Sequence, residues 1–530
     1  MTNRFEHHAR TVTLLTFASR VTGLARDAAL SRVFGAGLVM DAFFFAFMIP
    51  NLFRRLFGEG ALAAAFLPVY SKLNREDPAQ ASRFASLTIA MLTVVLGAIV
   101  LAGEVVLYVV SAWHGHENLA VWLMMVMLPY MPLVCVVAIL GAMMQVHGRF
   151  GPTAAAPMLL NLMIVAAAIG FAVMLDAENE RHRLVNIGAV AGCVSLSGVI
   201  QVLWSMYSLR DVAWWNRDWS NAWQPVRRMW GQALPMIVGL GVLQFNTLFD
   251  GFIASYPSVV GPTIFGIEYP LDEGAMAAVS FSQRLYQFPL GVFGIAVATA
   301  IFPLLARLSD DRDGFADALR RGLRLVVFIG LPASVGLMLV REPLTAVILQ
   351  GGDFTAEDTR RVSFVLLGYA PAIWAYSMIH VLTRAFYARS DSKTPVRIAI
   401  SVVGLNLALN LTLIWTPLRE AGLAWSTAIC ALVQVVLLLA MIRRSVPGVI
   451  DPIVVTSWLK TVFASVVMAG ATFAVGAMLT STEASGWSWM QSCIALAVMV
   501  GAGGLTVLVI SLILRMPELR WAMGRGETRT

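Results

Sequence analysis

The stretch LPYMPLVCVVAILGAMMQVHGRFGPT, residues 128–153, resembles LGYAPAIWAYSMIHVLTRAFYARSDSKTP, residues 367–395, with Tyr130 aligned to Tyr369. Two further pairs of segments match in the same order: 64–77 with 299–313, and 187–204 with 421–437. The members of each pair lie about 235–240 residues apart. Three matches in register indicate two parallel copies of one structural unit.

The chain has 530 residues, of which 58% are hydrophobic and 13% charged. A soluble domain usually carries about 25% charged residues, and apolar stretches of about 20 residues are typical of transmembrane helices. We therefore predict an all-α polytopic membrane protein. Fourteen spans are predicted, near residues 10–34, 37–70, 84–110, 120–146, 153–175, 186–208, 230–255, 275–306, 320–341, 362–387, 396–416, 421–442, 456–480 and 489–514.

The repeat groups twelve of these spans into two pseudo-symmetric six-helix lobes, residues 1–210 and 225–445. Two additional helices follow at 454–515, and a tail occupies 516–530. Parallel repeats are a transporter architecture in which the substrate binds between the lobes. The sequence has no P-loop motif, and no loop is long enough for a soluble catalytic domain.

Basic residues are concentrated in alternate loops, which predicts that both termini are cytoplasmic. The loops near 176–183 and 341–361 deviate, since arginines there are accompanied by acidic residues. This distribution explains the net charge of +7 without a nucleic-acid partner. We expect no cleaved signal peptide, because an arginine follows the first apolar run at once. The four cysteines lie in apolar segments without metal-binding spacing.

Charged residues inside the first predicted span point to function. In SRVTGLARDAALSRVFG (19–35), Arg20 lies about 15 Å from the predicted start of the helix. Asp27 shares its face, whereas Arg26 lies about 120° away. Both arginines would face one cavity if the helix breaks at Gly23. The competing interpretation is an interfacial amphipathic helix whose arginines extend to the headgroups.

A second charged group occupies the second span, DAFFFAFMIPNLFRRLFGEG, which begins at Asp41. Pro50 predicts a kink, and Arg54 follows it by one turn, where a kink opens space. Arg55 and Glu59 are spaced for an ion pair within one helix turn, which is the competing interpretation for Arg55. We therefore treat Arg54 as a candidate substrate-binding residue. A candidate secondary cavity group consists of Asp27, Arg55 and Glu59.

Arg284 is the only charged residue between Gly274 and Ala306. A charge at membrane depth usually faces a cavity or a partner, and Asp41 or Asp250 are the competing partners. Few acidic residues are available to balance the positive charge of the four candidate arginines, Arg20, Arg26, Arg54 and Arg284. The fork geometry of arginine suits phosphate or pyrophosphate, so we predict a hydrated cavity that binds an anionic ligand.

Buried amides form a further polar group. Asn406 and Asn410 are one turn apart, as are Asn246 and Asp250. Such amides either ligate an ion such as Na⁺ or hydrogen-bond between helices, and interhelical bonding is the more common outcome.

Four stretches resemble the MurJ (MviN) family of bacterial lipid II flippases, within the multidrug/oligosaccharidyl-lipid/polysaccharide exporter superfamily. They are SRVTGLARDAALSRVFGAG, DAFFFAFMIPNLFRRLFGEGALAAAFLPVYS, RLYQFPLGVFGIAVATAIFPLLARLS and FYARSDSKTPVRIAI. The similarity extends over nearly the whole chain, including the two additional helices.

The resemblance implies fourteen helices, alternating access and no enzymatic activity. The implied substrate is lipid II, an undecaprenyl-pyrophosphate-linked GlcNAc–MurNAc-pentapeptide, carried across the cytoplasmic membrane for cell-wall synthesis. Membrane lipids and cell-wall synthesis proteins are the further expected partners, and the last two helices are expected to form a groove for the polyprenyl tail. The implied cavity residues are Arg20, Arg26, Arg54 and Arg284, with Asp41 as their acidic partner.

The resemblance implies no organic cofactor, and coupling to the membrane potential or to sodium. The positions that match a sodium site in some members are Asn246, Asn406, Asn410 and Thr427, and none is a carboxylate. Two further departures are Met48, where some members have lysine, and Gln283, where an acidic residue is frequent.

Other functions remain open at this stage. A flippase for another polyprenyl-pyrophosphate glycan, such as an O-antigen or capsule unit, would use the same arginines. A cation-coupled drug exporter would need an acidic cavity for cationic drugs. A membrane glycosyltransferase would need an aspartate-rich metal site, which the sequence lacks.

Overall fold

A computed structural model describes residues 2–58, 61–113, 118–175, 179–479 and 488–523. Within these ranges the secondary structure is helical apart from one isolated bridge and a short antiparallel hairpin, β1 (Thr263–Ile264) and β2 (Ile267–Glu268). Ten of the described helical stretches are long and apolar enough to cross a membrane. The predicted all-α polytopic membrane fold is therefore confirmed, while the count of fourteen spans stays a prediction.

The chain forms two compact units, Met1–Ala277 and Ala278–Thr530. The helix of the seventh predicted span belongs to the first unit by its contacts, although the repeat assigns it to the second lobe. Contacts and sequence repeats group helices by different criteria. The lobe limits 1–210 and 225–445 therefore stay predictions.

The first unit contains nine helices among its described residues, together with the π-helical segment π1 (Arg54–Gly58). They are α1 (Thr2–Phe34), α2 (Leu38–Phe53), α3 (Ala61–Glu76), α4 (Pro78–Trp113), α5 (Leu119–Met127), α6 (Tyr130–Val146), α7 (Gly151–Met174), α8 (Glu180–Ser208) and α9 (Trp223–Val259). α7 packs between α1 and α8, and α9 packs on α2 and α3. The ring of Tyr130 on α6 lies so close to Gly198 on α8 that a Cβ atom there would come within 2.8 Å of it.

The second unit contains most of α10 (Ala275–Pro289), which begins in the first unit, and the π-helical segment π2 (Leu290–Gly294). The helices that follow are α11 (Ile295–Arg307), α12 (Arg312–Leu349), α13 (Ala356–Tyr369), α14 (Ala372–Ala388), α15 (Lys393–Leu413), α16 (Ala421–Ser445), α17 (Pro452–Leu479), α18 (Trp489–Ile513) and α19 (Pro517–Ala522). Its core lies where α12, α14 and α16 meet, and α17 and α18 pack on each other and on α12.

The two π-helical segments occupy corresponding places in the two copies of the repeat. π1 lies between α2 and α3, and π2 joins α10 to α11. The predicted spans 37–70 and 275–306 are therefore not single α-helices, which corrects that part of the prediction. A proline supplies no backbone donor, so the α-helical bonding pattern is weakened near it, and Pro50 and Pro289 precede the two π segments.

The repeated stretch that contains Tyr130 and Tyr369 is a broken helix in both copies. Tyr130 is the first residue of α6, whereas Tyr369 is the last residue of α13, and both side chains are buried. In each case a proline lies at the N-terminal cap of the second half-helix, where it has no donor to lose. The aligned tyrosines therefore mark the same interruption in both copies.

Close packing in the second unit predicts a stability effect at Gly368 on α13. A Cβ atom there would lie 2.8 Å from the Cβ of Ala424 on α16. Because such overpacking costs about 1–3 kcal/mol, Gly368→Ala should lower the melting temperature of the purified protein. Gly404→Ala is the matched control, since a Cβ atom at that α15 position meets nothing within 4 Å. Equal melting temperatures for Gly368→Ala and wild type would contradict this packing.

An ion pair fixes the chain that follows α8. Arg149, between α6 and α7, donates to both carboxylate oxygens of Asp211 and to the carbonyl oxygen of Ser208, with Nη1 2.7 Å from Oδ1 of Asp211. Hydrogen bonding to Arg149 is the main reason why the pKa of Asp211 is lowered to about 2. The two segments are therefore held together by a carboxylate that stays ionised in mild acid.

The lowered pKa of Asp211 predicts how the ion pair responds to acid. A carboxyl whose pKa is lower in the folded state stabilises that state above its unfolded pKa and ceases to do so as the pH falls through its folded pKa. The difference in melting temperature between wild type and Asp211→Asn should therefore be constant from about pH 7 to 5 and shrink below about pH 4. Asp310→Asn, at an exposed position, is the control. A difference that grows in acid would refute the ion-pair explanation.

Candidate functional site

The first candidate group lies on α1. This helix continues without interruption through Gly23, so the break that would turn Arg20 and Arg26 to one side is absent. Arg26 is buried, with 8% of its surface exposed, whereas Arg20 is half-buried. The two guanidinium groups therefore leave α1 in different directions.

Arg26 is held by two partners inside the first unit. Its Nε and Nη2 atoms lie 2.9 and 2.6 Å from Oδ1 of Asp27, and its Nη1 lies 3.2 Å from Oδ1 of Asn161 on α7. Asp27 is 2% exposed, so the ion pair is shielded from its surroundings. The structure thus brings Arg26 and Asp27 together as a neutral pair, and Arg26 adds less surplus charge than the sequence suggested.

Asn161 is a residue that the sequence analysis missed. Its Nδ2 atom lies 3.3 Å from the carbonyl oxygen of Ser19 and 3.4 Å from the hydroxyl of Thr22. A Cβ atom at Gly23 would sit 3.5 Å from the same nitrogen, so α7 approaches α1 closely here. One amide therefore fixes both the backbone of α1 and the guanidinium of Arg26.

Asp41, near the start of α2, is fully buried and accepts hydrogen bonds from three groups of the first unit. The backbone nitrogens of Gly274 and Ala277 lie 2.6 and 2.8 Å from its oxygens, and the hydroxyl of Ser258 is the third donor. The amide of Ala277 belongs to the first turn of α10 and that of Gly274 directly precedes it, where a carboxylate is favoured by the helix dipole. Asp41 thus caps the helix that also carries Arg284.

The second arginine pair begins the π-helical segment π1. Nε and Nη2 of Arg54 lie 3.1 and 2.9 Å from Oδ1 of Asn51, so this guanidinium donates to a neutral amide on α2. Arg54 and Arg55 are both half-buried. The predicted pairing of Arg55 with Glu59 lies outside the described residues, since Glu59 is not among them.

Arg284 lies in the second unit, on α10, and its surface is exposed. The neighbouring side chains fix the helix around it. Nε2 of Gln283 lies 3.0 Å from the hydroxyl of Tyr369, and the ring of Tyr286 stacks on the same tyrosine with centroids 4.8 Å apart. The aligned Tyr369 of the repeat thus anchors α10 next to the exposed Arg284.

The amide group predicted as a sodium site forms a closed hydrogen-bonded ring in the second unit. Asn410 donates to Oδ1 of Asn406 over 3.0 Å, Asn406 donates to the hydroxyl of Ser426 over 3.3 Å, and Ser426 donates to Oδ1 of Asn410. All three side chains are buried between α15 and α16. Thr427 donates to a carbonyl of its own helix, and Asn246 is a half-buried residue of α9 in the first unit.

This donor set does not fit a sodium ion well. Both amide oxygens of the ring already accept a hydrogen bond, and a carboxylate is absent from the ring. Among the described residues no cluster of His, Cys, Asp and Glu suits a metal ion. The three side chains of the ring hydrogen-bond to one another, and two of these bonds join α15 to α16. The sodium site stays an untested prediction.

Comparison with known proteins identifies the family. The family model described as lipid II flippase MurJ matches residues 30–492. The chain belongs to the lipid II flippase MurJ family. A relative from Vibrio cholerae named probable lipid II flippase MurJ is 32% identical over 536 residues, covering 96% of this chain and 97% of the relative. The lipid II flippase MurJ of Burkholderia cenocepacia is 31% identical over 483 residues, covering 87% and 88%.

Solved structures agree on the fold. A lipid II flippase MurJ in an inward closed conformation has a TM-score of 0.77 at 22% identity, covering 96% of this chain and 99% of that one. An inward-facing multidrug resistance MATE family transporter of the MOP superfamily has a TM-score of 0.65 at 14% identity, covering 83% and 98%. Membership of the MurJ family places the chain among multi-pass bacterial inner membrane transporters rather than enzymes.

The capping by Asp41 predicts a loss of stability on substitution. Asp41→Asn keeps the size of the side chain but places an amide donor among three donors. Hydrogen bonds to a charged group contribute about 1.5–3 kcal/mol, so the melting temperature of the purified variant should fall. Glu268→Gln, at an exposed carboxylate of the same unit, should melt like wild type. A variant Asp41→Asn that melts like wild type would show that the cap contributes little.

Proposed function

We propose that this chain flips lipid II, an undecaprenyl-pyrophosphate-linked GlcNAc–MurNAc-pentapeptide, from the inner to the outer leaflet of the cytoplasmic membrane by alternating access. The observation that carries the proposal is the match to the MurJ family along nearly the whole chain, including both additional helices. The same proposal covers the two additional helices, α17 and α18, as a groove for the polyprenyl tail.

Charge supports a pyrophosphate substrate. Arg20 lies on α1, Arg54 begins π1 and Arg284 lies on α10, and Arg20 makes no hydrogen bond or ion pair with the side chains that the structure describes. A guanidinium binds phosphate oxygens in a planar, bidentate manner. We assign contact with the pyrophosphate to these three residues during the transport cycle. Arg26, neutralised by Asp27, would then shape α1 for that contact.

Electrostatics also supports coupling to the membrane potential. Lipid II carries negative charge on its pyrophosphate, and an inside-negative potential favours outward movement of negative charge by about 2.3 kcal/mol per charge per 100 mV. The basic loops support an orientation with both termini in the cytoplasm. Coupling to sodium stays the alternative prediction. The expected functional partners of this protein are cell-wall synthesis enzymes that consume lipid II on the outer side of the membrane.

Replacing Arg284 tests the site. Arg284→Ala should abolish growth of cells depleted of their own lipid II flippase, without loss of membrane-inserted protein, because it removes a guanidinium that the substrate needs. Arg284→Lys keeps the charge without the fork and should support growth partly. Arg312→Ala is the matched control, since Arg312 is an exposed arginine at the start of α12. Normal growth with Arg284→Ala would remove Arg284 from the site.

A leaflet-resolved assay of lipid II in the same depleted cells tests the transport of lipid II separately from the role of Arg284. The wild-type chain should restore outer-leaflet lipid II. Failure to do so, with restoration of a surface polysaccharide instead, would refute the lipid II assignment in favour of another polyprenyl-pyrophosphate glycan. Restoration by both wild type and Arg284→Ala would refute only the role of Arg284.

A further inference from the structure

A cavity of about 250 Å³ lies in the second unit where α12, α17 and α19 meet. Its lining includes Arg324 of α12, Lys460 of α17 and Glu518 of α19. In the predicted topology, the basic loops before α12 and α17 and the basic C-terminal tail that contains α19 lie on the cytoplasmic side. None of the lining residues is among the arginines proposed to contact the pyrophosphate, so the cavity needs its own explanation.

The walls of this cavity are held by buried polar contacts. Oε1 of Glu518 accepts from Nε of Arg324 over 2.7 Å and from the hydroxyl of Ser457 over 2.6 Å. Glu518 is 1% exposed, and the guanidinium carbon of Arg324 lies 4.9 Å from the ring centre of Trp521. The short helix α19 is therefore fixed against α12 and α17 through Oε1 of Glu518, while Oε2 is buried without a hydrogen-bond partner among the described residues.

Lys460 retains capacity for a ligand. Its ammonium group lies 3.1 Å from one partner, the carbonyl oxygen of Leu514, and an ammonium group has three donors. The lining holds two basic side chains and one carboxylate, so its charge is positive. A cavity of this charge favours an anion, and a lysine suits a phosphate that needs no bidentate fork.

The polar residues of the cavity lie at one end of an apolar helix face. Four lining residues follow the i, i+3, i+4, i+7 spacing of a single face of α17. They are Ile453, Thr456, Ser457 and Lys460. Exposed apolar side chains flank this face and continue beyond it, with Leu459 64% exposed and Phe463 53% exposed. A basic, hydroxyl-lined cavity next to exposed apolar surface matches the shape of an amphiphile with one anionic headgroup.

We propose that this cavity binds the phosphodiester headgroup of an anionic membrane phospholipid, whose acyl chains lie along the exposed face of α17. Basic pockets between transmembrane helices on the cytoplasmic side are a recognised type of lipid site. The cavity volume suits a phospholipid headgroup but not the disaccharide-pentapeptide of lipid II. The proposal does not rest on the pyrophosphate contacts of Arg20, Arg54 and Arg284, although the acyl chains would share α17 with the proposed polyprenyl-tail groove.

Lipid retention by the purified full-length chain tests this site. The protein is exchanged into micelles with equal amounts of phosphatidylglycerol and phosphatidylcholine of identical acyl chains, and bound lipids are counted by native mass spectrometry. Wild type should retain phosphatidylglycerol in preference to phosphatidylcholine. Lys460→Gln should retain about fivefold less of the tightest-bound phosphatidylglycerol, the effect expected for one lysine.

Two variants control this measurement. Lys393→Gln removes an exposed lysine at the start of α15 and should retain lipid like wild type. Lys460→Arg keeps the charge and should retain phosphatidylglycerol, which separates loss of the site from loss of the fold. Equal retention of both lipids by wild type, or wild-type retention by Lys460→Gln, would overturn the proposal. Release of the lipid by excess inorganic phosphate would overturn it in favour of a small-anion site.

Discussion

Hydrocarbon offers no hydrogen-bond partner, so a polar group at membrane depth depends on partners that the protein supplies. This constraint explains most of the polar contacts described above. Asp41 is satisfied by backbone amides of α10, Arg26 by Asp27 and Asn161, and Asn406 by the ring with Ser426. The contacts of Asp41 and of Arg26 with Asn161 join segments that are distant in sequence, and the ring joins the consecutive helices α15 and α16. The polar residues of this chain thus hold its helices together as well as marking its candidate site.

The constraint also sorts the arginines into two kinds. Arg26 has its charge cancelled by an adjacent buried carboxylate, which suits a residue that shapes α1. Arg54 donates to a neutral amide, and the exposed Arg284 is displayed on a helix whose neighbouring side chains fix its orientation. A substrate with two phosphates would gain most from guanidinium groups of the second kind. The division between shaping and binding arginines was not visible in their spacing along the chain.

Much of the fold was predictable from the sequence, because hydrophobicity and internal similarity report on it directly. The duplicated unit and the two additional helices were evident without structural information. The partners of the site residues were less predictable, since a sequence does not display backbone donors such as the amides that bind Asp41. Asn161 appears in the sequence only as an amide in an apolar helix, with no sign that it would contact Arg26. The break considered at Gly23 was wrong, since α1 continues through that residue and Asn161 of α7 lies beside it.

The π-helical segments were missed as well, although a Phe-Gly pair ends each of them, at Phe57–Gly58 and Phe293–Gly294. A π turn holds about one residue more than an α turn, and each residue of an α-helix turns the chain by about 100°. The side chains of α11 are therefore out of phase with those of α10. Along the eighth predicted span, a one-residue deletion at 290–294 would act as a rotation of the following helix rather than as a shortening.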